Sequence, residues 1–279
     1  MTKEIYPCLW LDGKAKEAAE LYLSAFPDSR MTADTPMVVN VELAGQNFMA
    51  LNGGPLHVPN PSISFFVVCD TAAEVEHAWE KLSEGGGVLM ALDTYPWSAL
   101  YGWVQDRFGV SWQLSLGKLE EVGQKFSPLL MFANQQAGKA EEAIGFYTGI
   151  FAGSSVVGIS RYDAGDGDIA GTVKHAQFKL GQQVFMAMDS SLPHLGSFSE
   201  GISLVITCET QEEIDYYWSR LTEGGREDRG GWLKDRYGVS WQVVPAVLGK
   251  LMGDAEKAPR VVQAFMQMTK FDIKQLMDA

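Results

Sequence analysis

The chain repeats itself, and that repeat restricts the possible folds more than any other feature. "DRFGVSWQ" runs from Asp106 to Gln113, and "DRYGVSWQ" runs from Asp235 to Gln242, 129 positions later. A longer pair, Ser62–Gly86 and Gly201–Gly225, is identical at ten of 25 positions with a constant offset of 139. "AGQNFMALN" from Ala44 matches "GQQVFMAMD" from Gly181, and "GKAKEAAELYLSAF" from Gly13 matches "GKAEEAIGFYTGIF" from Gly138. The offsets drift because loops differ in length, and the first half carries ten extra residues before its octapeptide. Self-similarity on this scale means duplicated structural units. It predicts a first domain over 1–118, a second over 127–248, and a helical tail over 249–279, where Pro259 sits well at a helix start.

Each half has the same internal rhythm. A short apolar stretch ("YPCLWL", "SPLLMF") leads into a helix with Ala18, Tyr22 and Phe26, or Ala143, Tyr147 and Phe151, on one face. Strands follow, ending in "FMALN" and "FMAMD", and then the pattern restarts. The second helix of each half opens with a capping-box spacing, Thr71 with Glu74 and Thr210 with Glu213. Its apolar stripe is Val75, Trp79 and Leu82, echoed by Ile214, Trp218 and Leu221. The expected class is α+β: four βαβββ modules, paired within two tandem domains.

Paired βαβββ modules, with "LDGKAKEAAELY" at the front and "YGWVQDRFGVSWQL" at the end, resemble the vicinal oxygen chelate superfamily, which holds glyoxalase I, bleomycin-resistance proteins and extradiol dioxygenases. Within it, "GWLKDRYGVSWQVVP" and the tail "APRVVQAFMQMTKFDIKQL" look most like the PhnB-like family. The resemblance covers essentially the whole chain. It implies a curved eight-stranded sheet per domain, with helices on the convex face and a ligand cup on the concave face. That family carries a label as a 3-demethylubiquinone methyltransferase, for which no G-x-G-x-x-G stands at a strand-to-helix turn. "EGGGV" (Glu84–Val88) follows a helix instead of opening one and reads as a helix C-terminus.

Strand alternation assigns faces. In "ISFFVVC", Ile63, Phe65 and Val67 lie on the side expected to meet the helices, which leaves Ser64, Phe66 and Val68 for the cup. In "VSWQLS", Val110, Trp112 and Leu114 belong with the helices and Ser111, Gln113 and Ser115 with the cup. Ser203 and Gln242 occupy the matching places in the second half. Metal-dependent relatives place a Glu where Gln113 and Gln242 stand, and His on the first and often the fifth strand. Here those neighbourhoods hold Pro7 and Cys8, Pro128 and Leu129, and Ser64 and Ser203. A neutral amide oxygen is a weak donor for a divalent ion, so no metal and no other cofactor is expected. His175 alternates against Ala176, Phe178 and Leu180 and is expected to look into the second cup; with His194 it could hold an ion only if a third ligand such as Asp189 joined them. Trp103 and Trp232 are candidate cup walls. Tyr95 and Trp97, in the extra "LDTYPWSAL", stand at the edge of the first cup or pack as a loop. Cys69 and Cys208 close the fifth strands on the apolar face and read as inert packing.

A net charge of −13, with basic residues scattered, repels nucleic acid and anionic membrane surfaces. No apolar run approaches membrane-spanning length. The N-terminus does not read as a signal peptide, and three cysteines without C-x-x-C spacing argue against a disulfide framework. The expectation is a cytoplasmic, metal-independent small-molecule-binding protein with a homo-oligomer allowed. Its ligand-binding candidates are Ser64, Trp103, Gln113, His175, Ser203, Trp232 and Gln242. The alternatives are an enzyme of lyase, isomerase or transferase type with an atypical site, and a structural protein whose cups are filled by side chains.

Overall fold

The structure, a computed structural model, describes residues 4–279. The chain divides into two compact bodies, residues 7–202, and residues 203–279 together with 4–6. The four modules run as read from sequence. The first comprises β1 (Ile5–Leu11), α1 (Ala15–Ala25), β2 (Ser29–Asp34), β3 (Val38–Leu43) and β4 (Gln46–Asn52). The second comprises β5 (Ile63–Cys69), α2 (Ala72–Ser83), β6 (Gly87–Tyr95), β7 (Ser98–Gln105) and β8 (Ser111–Leu116). After the single turn of α3 (Leu119–Val122) come β9 (Phe126–Phe132), α4 (Ala140–Ile150), β10 (Ser155–Arg161), β11 (Val173–Leu180) and β12 (Gln183–Asp189). The last comprises β13 (Ile202–Cys208), α5 (Gln211–Leu221), β14 (Arg226–Glu227), β15 (Trp232–Lys234) and β16 (Ser240–Pro245). The tail adds α6 (Val247–Met252), α7 (Ala258–Phe265) and α8 (Ile273–Asp278).

These strands form two eight-stranded sheets of paired modules, as expected, but the pairing crosses the repeat boundary. One sheet has the order β10-β11-β12-β9-β5-β8-β7-β6, so the second and third modules share it. The other has the order β14-β15-β16-β13-β1-β4-β3-β2, so the first and fourth modules share that one. Pairing inside each half, the expectation from sequence, is not what the strands do. The reason is that duplicated modules present similar edges, so the repeat itself does not encode which two join. In the structure β5 accepts β8 in parallel on one edge and β9 antiparallel on the other. The Gln46 side chain fastens the start of β9 by accepting from the Phe126 amide at 2.8 Å and donating to the Phe126 carbonyl at 2.9 Å.

The helices form where their caps predicted. Thr71 Oγ1 accepts from the Glu74 amide and Thr210 Oγ1 from the Glu213 amide. In the larger body the apolar face of α2 presses Val75 and Leu82 into the core, and Trp79 lies on Gly102 of β7, where an added Cβ would fall 2.5 Å from the ring. Trp112 is fully buried and meets Tyr22 of α1 and Phe26 just after it at ring-centroid distances of 5.0 and 5.3 Å. Phe65 reaches the same indole at 5.2 Å. Packed rings at such separations add to their area burial.

The recurring octapeptide is a fold staple. Asp106 Oδ1 accepts from the amides of Phe108 (2.8 Å) and Val110 (3.1 Å), while Oδ2 accepts from the indole of Trp112 (2.9 Å). Asp235 does the same for Tyr237, Val239 and Trp241 at 2.9, 3.1 and 2.8 Å. The glycine inside each turn, Gly109 and Gly238, has φ of 88° and 90°, a conformation that costs other residues energy. One carboxylate thus folds the turn and sets the rotamer of the core tryptophan.

Candidate functional site

The concave face of the sheet running from β10 to β6 lies wholly within the larger body and gathers most of the unusual chemistry. Register places Ser64 opposite Leu129 and Ser111, Leu129 opposite Met186, and Gln177 opposite Met186. One step along, Phe66 stands opposite Gln113, and Gln113 opposite Trp103. Leu129, Met131, Ala133 and Met186 form a buried apolar floor, with half-buried Phe66, Trp103, Val122 and Met188 packed against it.

Phe66 and His175 stand on strands three apart in the sheet order, which in a flat sheet would separate them by roughly 14 Å. Their ring centroids lie 6.1 Å apart. The curvature of the sheet and the reach of both side chains close that gap and turn the face into a cup. Burial holds the His175 imidazole below the usual histidine range, so it is neutral at physiological pH.

A polar chain crosses the floor. The Tyr101 hydroxyl donates to Gln113 Oε1 at 2.8 Å, and Gln113 Nε2 donates to Ser64 Oγ at 2.9 Å. Trp103 Nε1 donates to Ser111 Oγ at 2.5 Å. Burial pushes the Tyr101 phenol well up, so it stays a donor. Both ends of Gln113 are therefore engaged, and the side chain is 4% exposed.

Four of the seven residues singled out from sequence meet on this face: Ser64, Trp103, Gln113 and His175. His175 was expected in a cup with Ser203 and Gln242; module pairing across the repeat boundary puts it instead in the sheet of Ser64 and Gln113. Ser203, Trp232 and Gln242 belong to the other sheet and the smaller body. There Gln242 Nε2 donates to Ser203 Oγ at 2.9 Å, and Trp232 stands opposite Gln242. The Gln–Ser pair is thus duplicated. The phenol is not: two positions before Trp103 the first copy has Tyr101, whereas two before Trp232 the second has Gly230.

The donor set does not fit a divalent ion. Ser64 offers a hydroxyl, Leu129 a hydrocarbon, and the Gln113 carbonyl is already held by Tyr101. Asp189 spends its two oxygens on the amides of Ala140 (3.0 Å) and Val173 (2.9 Å), and His194 Nε2 lies 2.8 Å from Ser190 Oγ. Among the described residues, no group of three His, Cys, Asp or Glu side chains is placed to hold a metal.

Tyr101, Met131, Met186 and Met188 also line this face and are not among the residues singled out from sequence. Alternation from Trp103 would have found Tyr101. The methionines needed the identity of the neighbouring module. Tyr95 and Trp97 stack on each other (5.1 Å) and meet Tyr101 edge-on at 5.5 and 5.6 Å, bracing the phenol from the β6–β7 turn.

The cysteines are packing residues. Cys8, Cys69 and Cys208 are all buried and none is in a disulfide, and burial pushes the Cys69 thiol up to about 12. An aromatic disulfide reagent at pH 8 is expected to leave all three untitrated in the native protein and to count three on unfolding; prompt native labelling would contradict the packing.

Similarity to known proteins agrees with this architecture. The family model described as 3-demethylubiquinone-9 3-methyltransferase matches residues 3–115 and 124–244. A PhnB protein from Bacillus cereus is 34% identical over 39% of this chain and 96% of its own, with a TM-score of 0.37. Glyoxalase I from Zea mays aligns over 91% of this chain and 97% of its own at 12% identity, with a TM-score of 0.56, a likeness of fold. Comparison with curated proteins gives no match. No helix among the described residues is long and apolar enough to cross a membrane. With the family model matching most of its length in two tandem regions, the chain belongs to the PhnB-like family described as 3-demethylubiquinone-9 3-methyltransferase.

Proposed function

We propose that the concave face of the β10–β6 sheet binds a small, largely apolar and uncharged molecule without a metal ion. The observation that carries this reading is the gathering of half-exposed Phe66, Trp103, Met188 and His175 over a buried Leu–Met floor, with Phe66 and His175 6.1 Å apart. Apolar walls supply affinity, and a few fixed polar groups supply orientation. Here those groups are the neutral imidazole and the Ser64–Gln113–Tyr101 chain, whose hydrogen bonds hold it in one geometry. The reading is binding because the polar groups of the floor are hydroxyls and a carboxamide already hydrogen-bonded to one another.

The test combines elemental analysis with a ligand screen read by tryptophan fluorescence. After dialysis against Zn, Mn, Ni and Fe(II), no ion near one per chain is expected to remain. Trp103→Ala is expected to weaken any ligand found by about tenfold to a hundredfold, the value of burying one indole face. An ion retained at one per chain, or ligand binding indifferent to Trp103→Ala, would overturn the reading.

A further inference from the structure

A second cluster lies in the larger body, where the C-terminal end of β1 meets the loops that precede β5 and β13. Trp10 is fixed there from several sides. Its indole Nε1 donates to the Gly54 carbonyl at 2.8 Å, and its amide donates to the Gly201 carbonyl at 3.0 Å. Gly53 lies so flat against the ring that a Cβ would fall 2.2 Å from Cε2, so only glycine fits. The His57 imidazole meets the indole edge-on, with centroids 4.8 Å apart and planes at 88°. Its Nδ1 stands 3.5 Å from Glu200 Oε2. Neither side chain is fully covered: His57 is 28% exposed and Glu200 16%. The loops that carry them are tied together, Asn60 Nδ2 donating to the Ser197 carbonyl at 3.0 Å and to Ser199 Oγ at 3.3 Å.

A carboxylate beside one imidazole nitrogen fixes the ring and favours the tautomer in which the other nitrogen carries the lone pair. With Nδ1 turned to Glu200, Nε2 becomes the proton-accepting atom. The duplicated half supplies an internal contrast. His194, the loop counterpart of His57, places its Nε2 on a neutral hydroxyl, Ser190 Oγ, and Met131 stands where Trp10 does. His77 places its Nε2 on the Ser24 carbonyl. Of the three, only His57 combines a carboxylate on Nδ1 with an indole alongside.

We propose that His57, Glu200 and Trp10 form a second small-molecule site, which takes a planar ligand bearing a weakly acidic hydroxyl, a phenol or an enol, and accepts its proton on His57 Nε2. The O–H bond breaks, an N–H bond forms on Nε2, and Glu200 offsets the charge of the imidazolium. The ligand is left as a phenolate or enolate against that cation, with its apolar ring beside the indole of Trp10. This site does not depend on the proposed role of the β10–β6 cup.

The probe is 4-nitrophenol, whose anion absorbs at longer wavelength than its neutral form. Added to the full chain below the pH at which the free phenol ionises, it is expected to show a saturable anion band. His57→Gln abolishes that band, and Glu200→Gln weakens binding by about tenfold, the usual scale for removing an orienting carboxylate. His77→Gln, on the exposed face of α2, leaves it unchanged, and circular dichroism confirms that each variant is folded. No anion band with the native chain, or a band that survives His57→Gln, overturns the proposal. A band lost in Trp103→Phe but kept in His57→Gln would place the probe in the β10–β6 cup, overturning this site while supporting the other.

Discussion

Replacing Asp106 by Ala is expected to destabilise the protein by about 3–5 kcal/mol, and Asp235→Ala by a similar amount, in urea titrations followed by tryptophan fluorescence. Each carboxylate accepts from two backbone amides and one indole, and both aspartates are 3% exposed. Alanine leaves three donors unsatisfied in the interior, and each costs about 1–3 kcal/mol where water cannot replace the lost acceptor. Asn should cost less, because its carbonyl oxygen still serves the turn while its NH₂ faces the indole N–H, donor against donor.

Substituting Asp106 by either residue also removes a pH dependence of the parent. Burial pushes the Asp106 carboxyl above its ordinary value of 3.8, more than its hydrogen bonds pull it down. A group whose folded value is raised gives its full stabilisation below 3.8 and loses it as pH rises through the folded value. Asn carries no proton to lose, so Asp106→Asn should flatten that stretch of the stability curve. An Asp106→Ala variant within 1 kcal/mol of the parent would show that the turn folds without its staple.

Legibility in the sequence follows the range of the interaction. The capping threonines, the buried faces of α2 and α5, and the opposition of Trp112 to Gln113 are local, set by helical and strand periodicity over a few residues. Those readings match the structure residue by residue. Which modules share a sheet is a contest between similar edges, settled by pairings distant in sequence such as Ile63 of β5 with Leu130 of β9. Nothing in a period of two or 3.6 carries that information. The same gap separated His175 from Ser64 and Gln113, which lie in different repeats but in one sheet. It also hid the methionine floor, since Met186 and Leu129 become neighbours only when β12 and β9 pair. Composition and motif reading located the polar half of the cup, and the apolar half required the topology.

Gln113→Glu is the substitution that asks why the octapeptide ends on an amide. Glutamate restores the carboxylate that metal-dependent relatives are expected to carry there, at nearly unchanged volume. The site around it has not kept the rest: Ser64 and Leu129 flank it on the floor, and neither is an imidazole or a carboxylate. The new charge would sit 4% exposed, with the Tyr101 phenol and the Ser64 hydroxyl as donors beside a Leu–Met floor. Two hydroxyl hydrogen bonds offset only part of the desolvation of an anion. The carboxyl should therefore protonate well above the ordinary glutamate value of about 4.3. By linkage, the variant should match the parent at acid pH and fall progressively below it as pH rises through the raised value, by about 2–3 kcal/mol at neutrality. It should bind no divalent ion at one per chain. Thermal melts at pH 5 and pH 8, with and without Zn or Ni, separate the cases. A variant as stable as the parent at both pH values and further stabilised by the ion would mean that the cup retains the rest of a metal site, and the proposed metal-independent binding would fall with it.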